Sequence, residues 1–414
     1  MQKNVCTVAR LGLTAWIVGV VALICSPTSL YAGGVVGDGT PASCDGNAFE
    51  VAVTSGGVVT FNCGVDPHTI PVNTNVIEQS VVVNGGGRII LSGEDSRQLF
   101  LVLDGGDLTL NDLVLIDGAF GNGGAIHISG QGKVTINNSF LTSHRAEGAS
   151  DGGAIFNLGV LEINGSSLGA NQAGRNGGAI YNNGGEVTIR DTTVINNQAQ
   201  NGGGIANDGG TVRLERVAVR SNIATVNGGG LHNFSDTILI TNTTLFDNRA
   251  ERGGALHAAN GVTTRILNAT FNRNRADFGG AIWSDDGGVQ VKNSILANSR
   301  NTADSSDALN CDGPSLQSGG HNLISDNSCI LMPGAPGDQF ATDPLLEPFI
   351  NDNGGPTRTF MPQPGSPAVN TGDNDGCPTS DQRGATRPAG PACDIGAVEV
   401  NGLLVQAYLP MVGK

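Results

Sequence analysis

The sequence predicts an all-β protein folded as a right-handed parallel β-helix, a solenoid in which one short unit repeats along an axis. Glycine accounts for 63 of the 414 residues, and amphipathic runs typical of long helices are missing. A Gly-Gly-(Ala/Gly)-(Ile/Leu) tetrapeptide recurs about every 25 residues, starting at Gly123, Gly152, Gly177, Gly202, Gly228, Gly253 and Gly279. This period excludes propeller blades, and the lack of a helical stretch disfavours leucine-rich, ankyrin and tetratricopeptide repeats.

Three landmarks within each repeat predict three strands per coil, with coils stacked about 4.8 Å apart. The paired glycines are expected at corners that need a positive φ or a close backbone approach. An inward aliphatic column is expected at Ile126, Ile155, Ile180, Ile205, Leu231, Leu256 and Ile282. A ladder of side-chain amides is expected at Asn171, Asn197, Asn222, Asn248, Asn274 and Asn298. Residues 70–300 would then hold roughly nine coils.

The chain before the repeats divides into two parts. Residues 1–32 combine a short basic start, an apolar stretch and a possible cleavage site at Ser29–Ala32, which indicates a signal peptide. An uncleaved membrane anchor is the alternative. Residues 33–80 are predicted to cap the open end of a β-helix that spans residues 81–300.

The chain after the repeats is rich in Pro, Gly, Asp and Cys, so residues 301–400 are predicted to form a turn-rich module packed on the last coil. The tail, residues 401–414, is apolar but far shorter than a membrane span. We expect a final edge strand there, with a sorting signal as the alternative, and no transmembrane segment in the mature chain.

The cysteines predict a covalent framework. Six cysteines follow the signal peptide, and locality favours the pairs Cys44–Cys63, Cys311–Cys329 and Cys377–Cys393 among fifteen possible connectivities. No pair has CxxC spacing, which argues against a zinc site. Three disulfides indicate an oxidising compartment, and we therefore expect a secreted or cell-surface protein.

The net charge of −15 argues against a nucleic-acid partner, which needs a basic face. It leaves a glycan or a protein surface as the expected ligand, and we expect a monomer without a cofactor. Calcium would suit such a protein, but no cluster of acids in the sequence supports a calcium site.

Two resemblances agree with this interpretation. The GGAI motif and Phe271-Asn-Arg-Asn274 resemble the repeats of polymorphic outer-membrane proteins, which are surface adhesins. Five C-terminal motifs resemble the choice-of-anchor Q domain of exported bacterial β-helix proteins: Asp352–Thr357, Pro364–Ala368, Asp381–Gly384, Arg387-Pro388 and Cys393–Ala397. The resemblance implies an exported bacterial surface or secreted protein of β-helix fold, with no assigned reaction.

Catalytic residues are not indicated. Adjacent acids occur only at Asp285-Asp286, where a turn before Gly287 explains them, and Asp277 also precedes a glycine pair. The sequence therefore favours a binding, adhesion or structural envelope protein. The alternative is a polysaccharide lyase or glycoside hydrolase that acts on acidic polysaccharide from a lateral face.

One column is a possible ligand-contact surface. The position after each inward aliphatic residue carries His127, Phe156, Tyr181, Ala206, His232, His257 and Trp283. Strand alternation turns it outward, where its rings could stack on sugars or simply on one another.

The C-terminal module contains a second group of interest, made of Asp381, Arg383, Arg387 and Asp394. Its acids and arginines could form a functional pocket. A structural salt-bridge cluster is the alternative that we favour.

Overall fold

The protein is described by a computed structural model over residues 33–302, 309–314, 316–332 and 334–404. These residues form a parallel β-solenoid of about 11 turns with almost no helix, as predicted. The predicted signal peptide and residues 405–414 of the tail lie outside the described residues.

Each coil contributes to three parallel ladders, and four strands are long enough to run through two of them. The first ladder comprises Asn75–Ile77, Phe100–Val102, Ile126–Ile128, Ile155–Asn157, Ile180–Asn182, the starts of Ile205–Glu215 and Leu231–Thr241, Leu256–Ala258, Ile282–Ser284 and Cys311–Asp312. The second ladder comprises Val35–Val36, Gly57–Phe61, the starts of Ser80–Ser92 and Asp107–Ile116, Lys133–Asn137, Val160–Asn164, Glu186–Arg190, the ends of Ile205–Glu215 and Leu231–Thr241, Thr263–Leu267, Val289–Lys292, Leu316–Ser318 and Leu331–Met332.

The third ladder comprises His68–Pro71, the ends of Ser80–Ser92 and Asp107–Ile116, Phe140–Thr142, Ser167–Gly169, Thr193–Ile195, Ala218–Arg220, Thr244–Phe246, Thr270–Asn272, Ile295–Ala297 and Leu323–Ile324. A short edge ladder follows it in the middle coils, formed by Ala119–Phe120, Arg145–Ala146, Gln172–Ala173, Gln198–Asn201 and Ile223–Asn227. Single bridges at Arg249, Arg275 and Arg300 continue this edge ladder.

The inward column is confirmed, because all seven of its aliphatic residues have no exposed surface and belong to one continuous core. The glycine corners are confirmed as well. The first glycine of each pair has a positive φ, for example 68° at Gly152 and 63° at Gly253. The second faces the next coil so closely that a Cβ atom on Gly153 would clash with the carbonyl of Gly178.

The asparagine ladder is confirmed from Asn171 to Asn274. Each side-chain Nδ2 donates to the Oδ1 one coil further on, over 2.9–3.0 Å, through Asn197, Asn222 and Asn248. The assignment of Asn298 is wrong. It occupies the preceding left-handed position (φ 55°), and in this coil the backbone N–H of Ser299 donates to Asn310 Oδ1 instead.

The N-terminal end is closed by a helix, Gly46–Thr54, after a short 3₁₀ turn, Pro41–Ser43. Asp45 caps it by accepting a hydrogen bond from the Ala48 backbone N–H at 2.8 Å. Phe49 is fully buried and packs edge-on against Phe100 of the first coils. The strands around this helix pair into the ladders, so this region is part of the solenoid as well as its cover.

The C-terminal module packs on the last coil, where Ala368 and Ile395 share a buried cluster with Leu323, but it also extends back over earlier coils. Strands continue through Leu331–Met332, and the chain then runs back along the third ladder. Asn242 Nδ2 donates to Ser380 O, Thr244 Oγ1 donates to Gln382 Oε1, and Asn268 Nδ2 donates to Asp394 O. The module therefore covers one side of several coils. Isolated antiparallel bridges join segments within the module itself.

All three predicted disulfides are present: Cys44–Cys63, Cys311–Cys329 and Cys377–Cys393. The first fastens the N-terminal cover and the second the last coil, while the third lies within the C-terminal module. Within the described ranges, no helix has the length and apolar character needed to cross a membrane.

Candidate functional site

The predicted ligand-contact column lies on the first ladder and projects away from the core. Phe156, Tyr181 and Ala206 form a separate buried cluster, against which Leu158 and Phe234 pack. The outward direction is therefore as expected. The expectation that the rings are exposed is wrong for most of the column, since the four interior rings show only 2–5% of their surface.

The column is buried because its rings cover one another. Ring centroids lie 4.9 Å apart for His127 and Phe156, 5.5 Å for Phe156 and Tyr181, and 4.6 Å for His232 and His257. Coils about 4.8 Å apart hold neighbouring rings at contact distance. Only the terminal members, His127 and Trp283, are partly exposed. The contacts support mutual stacking in the middle of the column and leave only its two ends open to solvent.

The middle of the column carries a polar cluster in which each charge has a partner. The Tyr181 hydroxyl donates to Asp208 Oδ2 at 2.7 Å, and the Arg175 guanidinium is bidentate to buried Asp151. Burial is the main cause that raises the pKa of Tyr181, so this phenol is a neutral donor at neutral pH. The cluster fastens neighbouring coils, and it does not offer an activated base.

The terminal coil carries what we call the Trp283 corner: Arg252, Phe278, Trp283 and Asp285. Trp283 Nε1 donates to Asp285 Oδ1 at 2.7 Å, the Phe278 ring is edge-on to the indole at 5.8 Å, and the Arg252 guanidinium carbon lies 6.0 Å from the indole centroid. Phe278 remains 43% exposed. A fixed indole beside a second ring, a cation and a carboxylate is a surface suited to sugar rings.

The sequence analysis missed Arg252 and Phe278 as partners of Trp283. They occupy equivalent positions on adjacent coils and form a parallel bridge. Each directly precedes a glycine pair, and that position turns toward the first ladder. The shared position before the glycine pair is the sequence signal that could have identified Arg252 and Phe278.

The two histidines next to the corner are neutral. Burial lowers the pKa of His257 to about 4, which outweighs the attraction of Asp285, whose Oδ1 lies 3.7 Å from His257 Nε2. Burial also lowers the pKa of His232 well below its ordinary value. Both rings are therefore uncharged at neutral pH.

The acids weighed for catalysis take part in local hydrogen bonds. Asp286 accepts hydrogen bonds from the backbone N–H groups of Gly261 and Gly288, while Asp285 accepts the indole N–H. The carbonyl of Asp277 accepts a hydrogen bond from Asn301. In the described part of the chain, no three His, Cys, Asp or Glu side chains are grouped so as to hold a metal ion.

The acids and arginines of the C-terminal module lie together in a buried cluster that also includes Glu399. Arg383 Nε donates to Asp381 Oδ2 at 2.9 Å, and Arg387 Nε lies 3.2 Å from Glu399 Oε2. Both Arg387 terminal nitrogens donate to Gly396 O at 3.1 Å. Burial is the main cause that raises the pKa of Asp394 to about 6. Because its acids and arginines contact one another and are shielded from solvent, this cluster is better explained as a structural salt-bridge cluster than as a functional pocket.

Comparison with protein-family models, with curated proteins and with solved structures found no match to this chain. What is established is therefore the fold: this chain is a disulfide-linked parallel β-solenoid whose first ladder carries an aromatic column.

Proposed function

We propose that this is an exported bacterial protein, secreted or held at the cell surface, which binds a glycan through the Trp283 corner without chemical change to the ligand. The observation that carries the proposal is the corner itself. It pairs a partly exposed indole, fixed by its hydrogen bond to Asp285, with the exposed ring of Phe278. Rigid rings of this kind bind sugar faces at low entropic cost, because few bonds lose freedom.

Export is supported by the covalent structure. The six cysteines after residue 32 are all paired, and such disulfides persist in oxidising compartments. The basic and apolar composition of residues 1–32 favours a signal peptide. The resemblances to surface-adhesin repeats and to the choice-of-anchor Q domain agree with the same location.

Binding is favoured over catalysis by the state of the side chains on this ladder. Asp151 and Asp208 are each held by a partner, and both carboxylates before Gly287 accept hydrogen bonds. A glycosidase needs one carboxylate that is free to donate a proton and a second that acts as base or nucleophile. A calcium-dependent lyase needs clustered acids for the metal and a free base.

Retention and cleavage should be measured together on immobilised neutral and acidic polysaccharides, with and without calcium. We expect retention of the intact protein on at least one neutral glycan, lost in Trp283→Ala and Phe278→Ala. Phe120→Ala is the matched control, because this ring is also exposed but lies on the edge ladder several coils away. Unsaturated or shortened products would establish the lyase or hydrolase alternative, and equal loss in Phe120→Ala would contradict the site.

A further inference from the structure

The edge ladder ends in a row of three arginines. Arg249 bridges Arg275 and Arg275 bridges Arg300 in parallel register, so the three occupy one position on consecutive coils. All three side chains are exposed. Earlier coils place Ala119, Arg145, Gln172, Gln198 and Ile223 at this position. A polar but uncharged side chain therefore satisfies the fold at this position.

Such a row opposes the stability of the solenoid. Like charges directly opposite one another in a sheet repel, and coils about 4.8 Å apart bring these guanidinium groups into one another's field. Within the described ranges, no carboxylate lies within 4 Å of these three guanidinium groups, although Arg97, Arg175 and Arg216 each have a close acidic partner. Residues 245–300 hold seven basic and five acidic side chains in a chain of net charge −15. This segment is therefore slightly basic, although the chain as a whole is acidic.

The row borders a groove lined by basic and neutral polar side chains. A groove of about 580 Å³ is lined by Arg273, Arg275, Arg300, Asn298, Asn301 and Thr302. Arg273 is held in place, since its Nη2 donates to Pro348 O at 2.6 Å. Guanidinium groups bind carboxylate and sulfate oxygens in bidentate fashion, and an ordered side chain loses less entropy on binding.

We propose that Arg249, Arg275 and Arg300, together with Arg273, form a binding site for a linear anionic glycan that lies along the solenoid axis. A single small anion would need only one or two of these groups. A row with one cation per coil instead suits a polymer that presents carboxylate or sulfate groups at intervals. This site lies on the edge ladder, next to the Trp283 corner, and it goes beyond the proposed function because it supplies charge recognition that the corner does not.

The test is a triple variant that removes the row without disturbing the coil. Arg249→Gln, Arg275→Gln and Arg300→Gln together install the residue that already occupies this position at Gln172 and Gln198. The matched control is Arg88→Gln with Arg213→Gln and Arg265→Gln, which removes the same charge from exposed positions outside the edge ladder. The probes are polygalacturonate for carboxylates, dextran sulfate for sulfates, and unmodified dextran.

We expect wild-type protein and the control variant to bind polygalacturonate or dextran sulfate, and the row variant to bind at least tenfold more weakly with a shallower dependence on salt. The probe that binds distinguishes the carboxylate from the sulfate. The thermal midpoint of the row variant should be unchanged or higher, which separates lost binding from misfolding. Trp283→Ala should leave this binding in place, so the two sites can fail independently.

Three results would overturn the proposal. Equal weakening in the control variant would mean that only overall charge matters. Unchanged affinity in the row variant would mean that the arginines are not the site. Equal affinity for a single-stranded DNA oligonucleotide or for poly-glutamate would mean that the row is not selective for glycans.

Discussion

The third ladder has two halves whose central residues are buried alike but whose outward residues differ in burial. In the strands Phe140–Thr142, Ser167–Gly169 and Thr193–Ile195, only the central residue is buried. In Thr270–Asn272 and Ile295–Ala297, all three residues are buried, because the C-terminal module lies over them. Strand alternation thus fixes the core in both halves, whereas a second layer decides what the outward residues contribute.

The largest expected effect on stability concerns the buried aliphatic core, which both halves share. Ile205→Asp places a carboxylate in the fully buried aliphatic column, without a partner. We expect a loss of at least about 4 kcal/mol in the free energy of unfolding, measured by denaturant titration at neutral pH. A change within about 0.5 kcal/mol would show that the inward column is misassigned.

The second prediction concerns the uncovered half, where His144 precedes Asn171 on the asparagine ladder. His144 is fully buried, its Nδ1 accepts a hydrogen bond from the Gly118 N–H, and burial lowers its pKa to about 3. Because the unfolded state binds the proton more tightly, stability should fall as the pH drops below about 6.5 and continue to fall to about 3. At pH 5 the loss should be about 2 kcal/mol.

His144→Asn provides the control for this pH dependence. The amide can accept from the Gly118 N–H and donate to Asn171, as the other members of the ladder do, but it does not titrate. Unfolding free energies measured from pH 8 to pH 4 should decline less steeply in this variant. Identical slopes would show that the acid sensitivity arises elsewhere.

The third prediction concerns the covered half. Gln382 is fully buried and joins the module to the solenoid, since Nε2 donates to Val217 O at 3.1 Å and Oε1 accepts from Thr244 at 2.6 Å. Gln382→Ala leaves these groups unsatisfied and should cost about 1–3 kcal/mol, with earlier proteolysis of the module. Gln363→Ala, at an exposed position of the same module, should change neither stability nor proteolysis. Equal proteolysis of the two variants would argue against this anchor.

The smallest expected effect on stability is the difference between the two halves at one equivalent position. Thr193 and Thr270 occupy the same position on the third ladder, three coils apart. Thr193 is partly exposed, whereas Thr270 accepts a hydrogen bond from the Ala397 N–H at 3.0 Å. Thr270→Ala should cost about 1 kcal/mol or somewhat more, and Thr193→Ala less than about 0.5 kcal/mol. Calorimetry of the two variants tests this difference, and equal costs would contradict it.

Most of the solenoid could be predicted because its determinants repeat. The paired glycines, the inward aliphatic residues and the ladder from Asn171 to Asn274 recur in phase, so each repeat supports the interpretation of the others. A second buried ladder joins Asn157, Asn182, Asn207 and Asn233, and the sequence analysis missed it. The signal was present, since each asparagine follows an inward aliphatic residue by two positions.

What occurs once could not be predicted in this way. The helix Gly46–Thr54 begins after an N-cap aspartate and buries Phe49, Ala52 and Val53 at helical spacing, but a single short helix is easily missed in a repetitive chain. The position of the C-terminal module depends on contacts between residues more than 100 positions apart, such as Thr244 with Gln382. Burial of the aromatic column follows from the distance between coils, which alternation within one strand does not reveal.

The central claim is that one side of the solenoid is covered by the C-terminal module while the equivalent surface further back is open. Single cysteines in place of Thr193 and Thr270 test it most directly, through their rates of reaction with a thiol reagent under native, non-reducing conditions. After subtraction of the wild-type background, the cysteine at position 193 should react at least tenfold faster than the one at position 270. Equal rates would show that the module does not cover the third ladder, and the account would fail.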